Sequence, residues 1–358
     1  MFLQKLTVQN FRNIPLATLS FSGNRQFLVG GNGQGKTNLL EAAGFMTALR
    51  SFRVSDGRLL IRQGEAEAGI AWSLRHEQMG ETEVTVRFDR SGKRLTCDGQ
   101  PVGRLADHLG KFPAVVFSSQ DIQLIRGSPA LRRRWLDLTL AAMDSSYLQA
   151  LQTYGRSLAE RNALLKKGGG GSELTAFDKT LAPAAARLIA LRTEGIVTLR
   201  ADFAEAYRAI SDQTDQVELI YEPDFAQASA EVFLAKLDSS RSRDLMFRST
   251  MVGPHRDDLA FLLSGSPAKD FASEGQQRSI VLALRFSQLA WFRKKSGVQP
   301  LLLADDVLGE LDPIRRERFW RNVAPGAQVI ATGTVVPEAP GWEVFTVIGG
   351  AFSPGSSP

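Results

Sequence analysis

One run constrains this 358-residue chain more than any other: Gly30-Gly31-Asn32-Gly33-Gln34-Gly35-Lys36-Thr37. It fits the pattern G-x-x-x-x-G-K-[ST], whose glycines let backbone N–H groups turn inward around phosphates. Apolar Phe27-Leu28-Val29 precedes it and Asn38-Leu39-Leu40-Glu41-Ala42-Ala43 follows, so the stretch reads strand, loop, helix. The helix points its positive dipole end at the bound anion. Lys36 is expected to reach the β/γ-phosphates, and the Thr37 hydroxyl to ligate Mg²⁺. Gly30, Asn32, Gly33, Gln34 and Gly35 form the expected cradle, with Asn38 in the first turn behind it. ATP and Mg²⁺ are therefore the expected cofactors, and an α/β domain the expected fold.

A second element supports this. Leu301 to Ala304 read as a buried parallel strand that delivers Asp305 and Asp306 at its C-terminal end. Open α/β sheets place their ligands at that end. Asp305 suits the magnesium shell, and Asp306 suits polarisation of an attacking water. Two adjacent carboxylates repel unless a cation lies between them, so the pair itself argues for Mg²⁺.

A third stretch, Phe271-Ala-Ser-Glu-Gly-Gln-Gln-Arg-Ser-Ile280, lies far along the chain from the phosphate loop. Ser273 and Gln276 have capping-box spacing, which starts a helix at Ser273. Gly275 in its first turn admits close approach of a ligand. A triphosphate cradled by residues 30–37 has little room for another helix N-terminus of the same chain. A second subunit could supply one.

The remaining chain divides by pattern. Residues 1–125 and 245–358 read as a composite α/β head, and 351–358 as a disordered tail. Residues 126–244 are rich in Leu, Ala, Arg and Gln at helical spacing, interrupted by Gly168 to Ser172, and read as an inserted helical arm. The single Cys97 excludes an internal disulfide, and three histidines make a histidine metal cluster improbable. The absence of a signal-like start or a long apolar run leads to the expectation of a cytoplasmic protein. A net charge of +5 mildly favours a polyanionic partner.

Phosphate loop, Ser-x-Gly-Gln stretch, apolar strand ending in Asp-Asp, and Glu310-Leu-Asp312 together resemble ATP-binding-cassette ATPases. Within that group the chain is similar to the RecF family of bacterial recombination mediators over nearly its whole length. The matching stretches are residues 10–13, 31–42, 51–53, 125–137, 161–166, 253–259, 273–278 and 303–312. The resemblance implies a cassette-type head with a mixed sheet plus a helical arm, and two heads that sandwich ATP. Ser273, Gly275 and Gln276 of one copy would then face the nucleotide of the other. It further implies Arg12 and Asn13 beside the phosphates, Asp312 at the dimer interface, and Gln120 or Gln123 as magnesium sensor. Thr332 or Thr334 takes the place of a switch histidine. Asp306 replaces the glutamate of most cassette ATPases with a carboxylate one methylene shorter, which suits slow hydrolysis.

By the same resemblance the partners are double-stranded DNA near single-strand gaps, RecR and RecO, with RecA downstream, in an ATP-dependent homodimer close to the nucleoid. Arg50, Arg53, Arg58 and Arg62, and Arg132, Arg133 and Arg134, are the candidate phosphate contacts on DNA. The last three occupy successive helix positions and cannot share a face, so at least one must turn inward. His255 and Arg256 match the family without an assigned role. A transporter ATPase subunit and a scaffold with structural ATP are the rival readings; the helical arm and basic balance disfavour the first.

Overall fold

The computed structural model describes residues 1–169, 171–211, 215–338 and 340–355. The chain forms two compact units: Met1–Ile122 with Glu205–Gln213 and Arg278–Pro358, and Gln123–Ala204 with Thr214–Gln277.

The first unit is built on two six-stranded sheets. One is antiparallel, in the order Ile14–Ser20, Phe2–Phe11, Glu67–His76, Gly80–Asp89, Lys93–Cys97, Gln100–Pro101. Its strands alternate as the period of two requires, burying Leu6 and Val8, Ile70 and Trp72, Val84 and Val86. That buried face joins Leu39, Leu40 and Ala43 of the helix Lys36–Gly44 in one core, and Trp72 donates its indole N–H to the Ala42 carbonyl at 3.2 Å.

The other sheet is mixed, in the order Ala351–Pro354, Glu343–Ile348, Arg25–Val29, Val329–Gly333, Leu301–Asp305, Ala114–Ser118. All neighbours are parallel except the first pair. Leu301–Asp305 and Ala114–Ser118 are buried along their whole lengths, the near-continuous apolar run of a sheet covered on both faces. The phosphate loop and the Asp305–Asp306 pair thereby emerge at the same end of the sheet, where the parallel strands Arg25–Val29 and Leu301–Asp305 finish.

The second unit holds the helices Pro129–Met143, Ser145–Lys166 and Ala230–Phe247, and most of Ser172–Ile210. Asp144 caps the second of these by accepting from the Ser146 and Tyr147 N–H groups. It also holds a three-stranded antiparallel sheet in the order Ser266–Pro267, Asp258–Leu263, Val217–Glu222.

Two differences from the sequence reading follow. The unit takes in Gln123–Ala204 and Thr214–Gln277 rather than 126–244, because Asp258–Leu263 pairs with Val217–Glu222 and because Asp244, Asp257 and Asp258 are the ion partners of arginines in the unit's helices. The tail expected at 351–358 is ordered over Ala351–Pro354, which pairs with Phe345–Ile348; residues 356–358 lie outside the described residues, as does Gly170 of the glycine run. Among the described residues no helix is long and apolar enough to cross a membrane.

Candidate functional site

Gly35 occupies the N-cap of Lys36–Gly44 at φ 115°, a conformation that glycine adopts at little cost and L residues with side chains do not. A Cβ there would also stand 3.0 Å from the Asn13 side-chain oxygen. The loop is held from behind by Gln34, whose carbonyl accepts from Gly350 N–H at 2.8 Å and whose side-chain oxygen accepts from Gly349 N–H at 2.7 Å. Lys36 is buried, and its ammonium donates to the Gly30 and Gly31 carbonyls at 2.8 and 2.9 Å. Among the described residues no carboxylate pairs with Lys36, so its charge stays available to an anion in the loop.

Thr37 and Asp305 meet: the Thr37 hydroxyl donates to Asp305 Oδ1 at 2.8 Å. Asp305 is buried at the strand end, and burial raises its carboxyl pKa; the Thr37 bond opposes the shift and the neighbouring Asp306 charge adds to it. Asp306 stands in the left-handed region at φ 55°, an uncommon conformation for a side-chain-bearing residue. Thr332, fully buried in the strand between the phosphate-loop strand and Leu301–Asp305, bonds to both aspartates. Thr334 is exposed. The hydroxyl and carboxylate oxygens of Thr37 and Asp305 are the hard donors that Mg²⁺ takes, and the glycine cradle has the open backbone that a triphosphate needs. The residues present fit both groups.

Around the loop lies a polar network that the sequence did not reveal. Glu41, fully buried on the phosphate-loop helix, accepts from Arg12 through two nitrogens at 2.9 and 2.8 Å and from Arg53 at 3.2 Å. Arg12 spends its third nitrogen on the Leu59 carbonyl at 2.9 Å. Arg53 also reaches Asn38 at 2.7 Å, and Asn38 donates to Asn13 at 2.8 Å. Arg12 and Arg53 are therefore engaged with the helix behind the loop, and Asn13 is the member that borders the loop itself. A lone glutamate on an apolar helix face was the available signal.

Ser273, Gly275 and Gln276 belong to the second unit. The capping box is present as expected: Gln276 accepts from Ser273 N–H at 2.8 Å, and Ser273 accepts from Gln276 N–H at 3.2 Å. The helix runs Glu274–Ser296. Ser273 is exposed, while buried Gln277 bonds back to the Ala268 and Ala272 carbonyls, both at 3.1 Å, and so fixes the approach to the helix.

Gln120 is exposed just beyond Ala114–Ser118, whose Ser118 pairs with Asp305; Gln123 falls in the other unit. Asp312 caps the helix Pro313–Asn322, accepting from Arg315 N–H at 2.8 Å, and that bond lowers its carboxyl pKa. Of the candidate DNA contacts, Arg50 is exposed and Arg58 pairs with Asp56 at the surface. Arg62 stands 3.8 Å from Glu65.

Arg132 is the inward-turning member of its triplet. It is buried and makes a two-pronged pair with Asp258 at 2.7 and 2.8 Å, which removes it from the DNA contacts. Arg133 donates to the Asp257 carbonyl at 2.5 Å and Arg134 is half-buried. His255 is tied into the fold by both ring nitrogens: its Nε2–H donates to the Thr250 carbonyl at 3.0 Å, so Nδ1 accepts from the Tyr154 hydroxyl at 2.6 Å. Arg256 has its Nη2 3.3 Å from the Met251 sulfur.

A family model described as "RecF/RecN/SMC N terminal domain" matches residues 2–334. The "DNA replication and repair protein RecF" of Synechococcus sp. (strain JA-2-3B'a(2-13)) is 37% identical, over 99% of this chain and 98% of its own. The protein of that name from Thermosynechococcus vestitus is 38% identical over 96% of this chain and 93% of its own. Among solved structures, the recombination mediator protein RecF bound to ATP, of the RecFOR pathway, superposes with a TM-score of 0.90 at 31% identity, covering 99% of this chain and 98% of that one. The Smc head domain of Pyrococcus furiosus shares the fold alone, with a TM-score of 0.53 at 17% identity.

Proposed function

Because the chain belongs to the RecF family, we propose that it is an ATP-binding DNA replication and repair protein whose nucleotide site closes between two copies of the chain on duplex DNA. One observation carries the reading. The Thr37 hydroxyl and the Asp305 carboxylate, 268 positions apart, meet at 2.8 Å at the C-terminal end of the mixed sheet's parallel strands, and in the same loop the Lys36 ammonium rests, among the described residues, on carbonyl oxygens alone.

ATP supplies the phosphoanhydride to be cleaved, and Mg²⁺ neutralises the charge that develops on it. Lys36 contributes the fixed positive charge at the loop, where low dielectric strengthens its attraction to phosphate. Thr37 and Asp305 are the oxygen donors on the metal side. Asp306 takes the proton of the attacking water, and Ser273 and Gly275 of the second copy complete the site. Asn13 borders the cradle, with Arg12 held behind it by Glu41. Gln120 serves as the metal-sensing glutamine and Asp312 lies at the junction of the copies.

Turnover is slow, and the ATP state governs assembly. Exposed Arg50, with Arg53 beside it, contacts the phosphate backbone of gapped duplex DNA without reading sequence. RecR and RecO are the protein partners and RecA loading is the outcome, in the cytoplasm at the nucleoid.

Light scattering on the Asp306→Asn variant tests this. Addition of ATP and Mg²⁺ is expected to double the solution mass, and Ser273→Arg in the same background to hold it at the monomer value. A mass indifferent to ATP would refute the two-copy site.

A further inference from the structure

Thr332 lies in the strand Val329–Gly333, which is parallel-paired on one side with the phosphate-loop strand and on the other with Leu301–Asp305. Its register partner is Leu28, two residues before the loop. The side chain is 1% exposed, and its one hydroxyl reaches both members of the aspartate pair. Asp306 N–H donates to Thr332 Oγ1 at 3.0 Å, and Thr332 Oγ1 stands 3.1 Å from Asp305 Oδ1 and 3.5 Å from Asp306 Oδ1.

A hydroxyl has one proton. With Asp306 N–H already donating to the oxygen, that proton goes to the nearer carboxylate, Asp305 Oδ1. Asp305 Oδ1 then accepts from two threonines, Thr37 on the loop and Thr332 on the neighbouring strand. The two bonds differ in kind. Thr37 is the residue that would turn its oxygen to the metal, so its bond to Asp305 would be exchangeable. Thr332 is buried on a strand paired on both sides, so its bond is fixed by the fold.

The backbone of Asp306 gives a second reason to look at this hydroxyl. Asp306 adopts φ 55°, and a residue in that region persists when its surroundings over-determine it. The bond from Asp306 N–H to Thr332 Oγ1 is such a restraint. Threonine is suited to the task, because its branched Cβ leaves few χ1 positions and the oxygen is therefore aimed by the strand itself.

We propose that Thr332 is a positioning residue of the ATPase site, whose single hydroxyl sets the carboxylate of Asp305 for the metal and the backbone of Asp306 for the water. This rests on the roles proposed above for the two aspartates. It distinguishes Thr332 from Thr334, which is exposed at the end of the same segment.

Thr332→Val keeps the shape and removes the hydroxyl; Thr332→Ser keeps the hydroxyl, and Thr332→Ala serves if the valine variant fails to fold. Loss of a group that orients a metal-side ligand costs about 10–100-fold in activity or metal affinity. In Thr332→Val, kcat for ATP is expected to fall by about that factor with KM changed less than about threefold. Binding of a fluorescent ATP analogue in EDTA stays at the parent level, while its gain on adding Mg²⁺ shrinks by about tenfold. Thr332→Ser restores both.

A Thr332→Val variant with parent kcat and parent Mg²⁺ response, in a protein where Asp305→Asn loses both, overturns the proposal and leaves the aspartate roles standing. If Asp305→Asn also retains both, the carboxylate reading falls and the proposal with it. A serine variant as impaired as valine shows that the residue acts through its volume, which likewise overturns it.

Discussion

The two units handle buried positive charge in opposite ways. In the second unit, Arg161 is fully buried and pairs with Asp178 at 2.6 Å and Asp244 at 2.7 Å, themselves buried. Arg192, 3% exposed, pairs with Asp137 at 2.9 Å and Asp257 at 2.7 Å and donates to the Pro254 carbonyl at 2.6 Å. Each of these two arginines is answered by two carboxylates, which leave it no charge to spare. In the first unit, Lys36 is as deeply placed but rests on two carbonyl oxygens. Carbonyl dipoles satisfy its donors without cancelling its charge. The difference separates a cation that ties helices together from one that awaits an anion.

The largest expected effect lies on the paired side. Arg161→Met leaves Asp178 and Asp244 without their shared cation, and breaking a buried pair from one side costs about 3–5 kcal/mol. Urea unfolding followed by the fluorescence of the described tryptophans measures it. A cost under about 1 kcal/mol would show that the carboxylates are satisfied without Arg161, and would erase the contrast. ATP affinity of the folded fraction is expected to stay at the parent value, because Arg161 and both its partners belong to the second unit.

On the other side, Lys36→Met is expected to reverse the pattern. The two carbonyls lose a donor at the loop surface, which costs about 1 kcal/mol of stability or less. Nucleotide binding loses a charge-assisted bond of about 1.5–3 kcal/mol, so the dissociation constant for ATP rises about 10–150-fold. Calorimetric titration with ATP and Mg²⁺ checks it. A stability loss larger than the binding loss would place Lys36 among the structural cations and break the comparison from this end.

The first unit was the more legible in sequence. Gly30 to Thr37 declare themselves because few backbones need so many glycines beside a lysine, and Leu301 to Asp306 because a fully apolar strand ending in two acids has few other uses. The capping box at Ser273 and Gln276 was readable for the same reason: the bonds are local, three residues apart. What stayed hidden was non-local. Nothing in the spacing says that Glu41 gathers Arg12 and Arg53, or that Arg132 finds Asp258, 126 positions on. A charged residue on a helix reads alike whether its partner is water or a buried acid. The strand Ala351–Pro354 was read as tail since Ser, Pro and Gly dominate around it; its order comes from pairing with Phe345–Ile348, a tertiary bond that outweighs weak local preference.

The smallest effect sharpens the comparison with a cation that can decline its charge. Arginine cannot give up its proton inside a protein, so Arg161 and Arg192 must be met by acids. Histidine can: half-buried His255 in the second unit and buried His108 in the first both meet carbonyl oxygens, and burial pushes each pKa below the ordinary 6.5. For His255 the nearby charges of Arg256 and Arg133 push the same way, while Asp224 opposes. The folded chain then binds fewer protons than the unfolded one between the folded pKa and 6.5. Stability from these groups is whole above that pH and drains away as pH falls through the window, by at most about 1.4 kcal/mol per pH unit for each histidine. His255→Gln is expected to flatten the stability profile between about pH 7 and 5 by roughly one histidine's share, with the remaining slope removed by adding His108→Gln. Denaturant midpoints across that range decide it. A slope steeper in the variant than in the parent would mean that His255 is charged in the folded protein, and that the second unit answers this cation with Asp224 as it answers its arginines with acids.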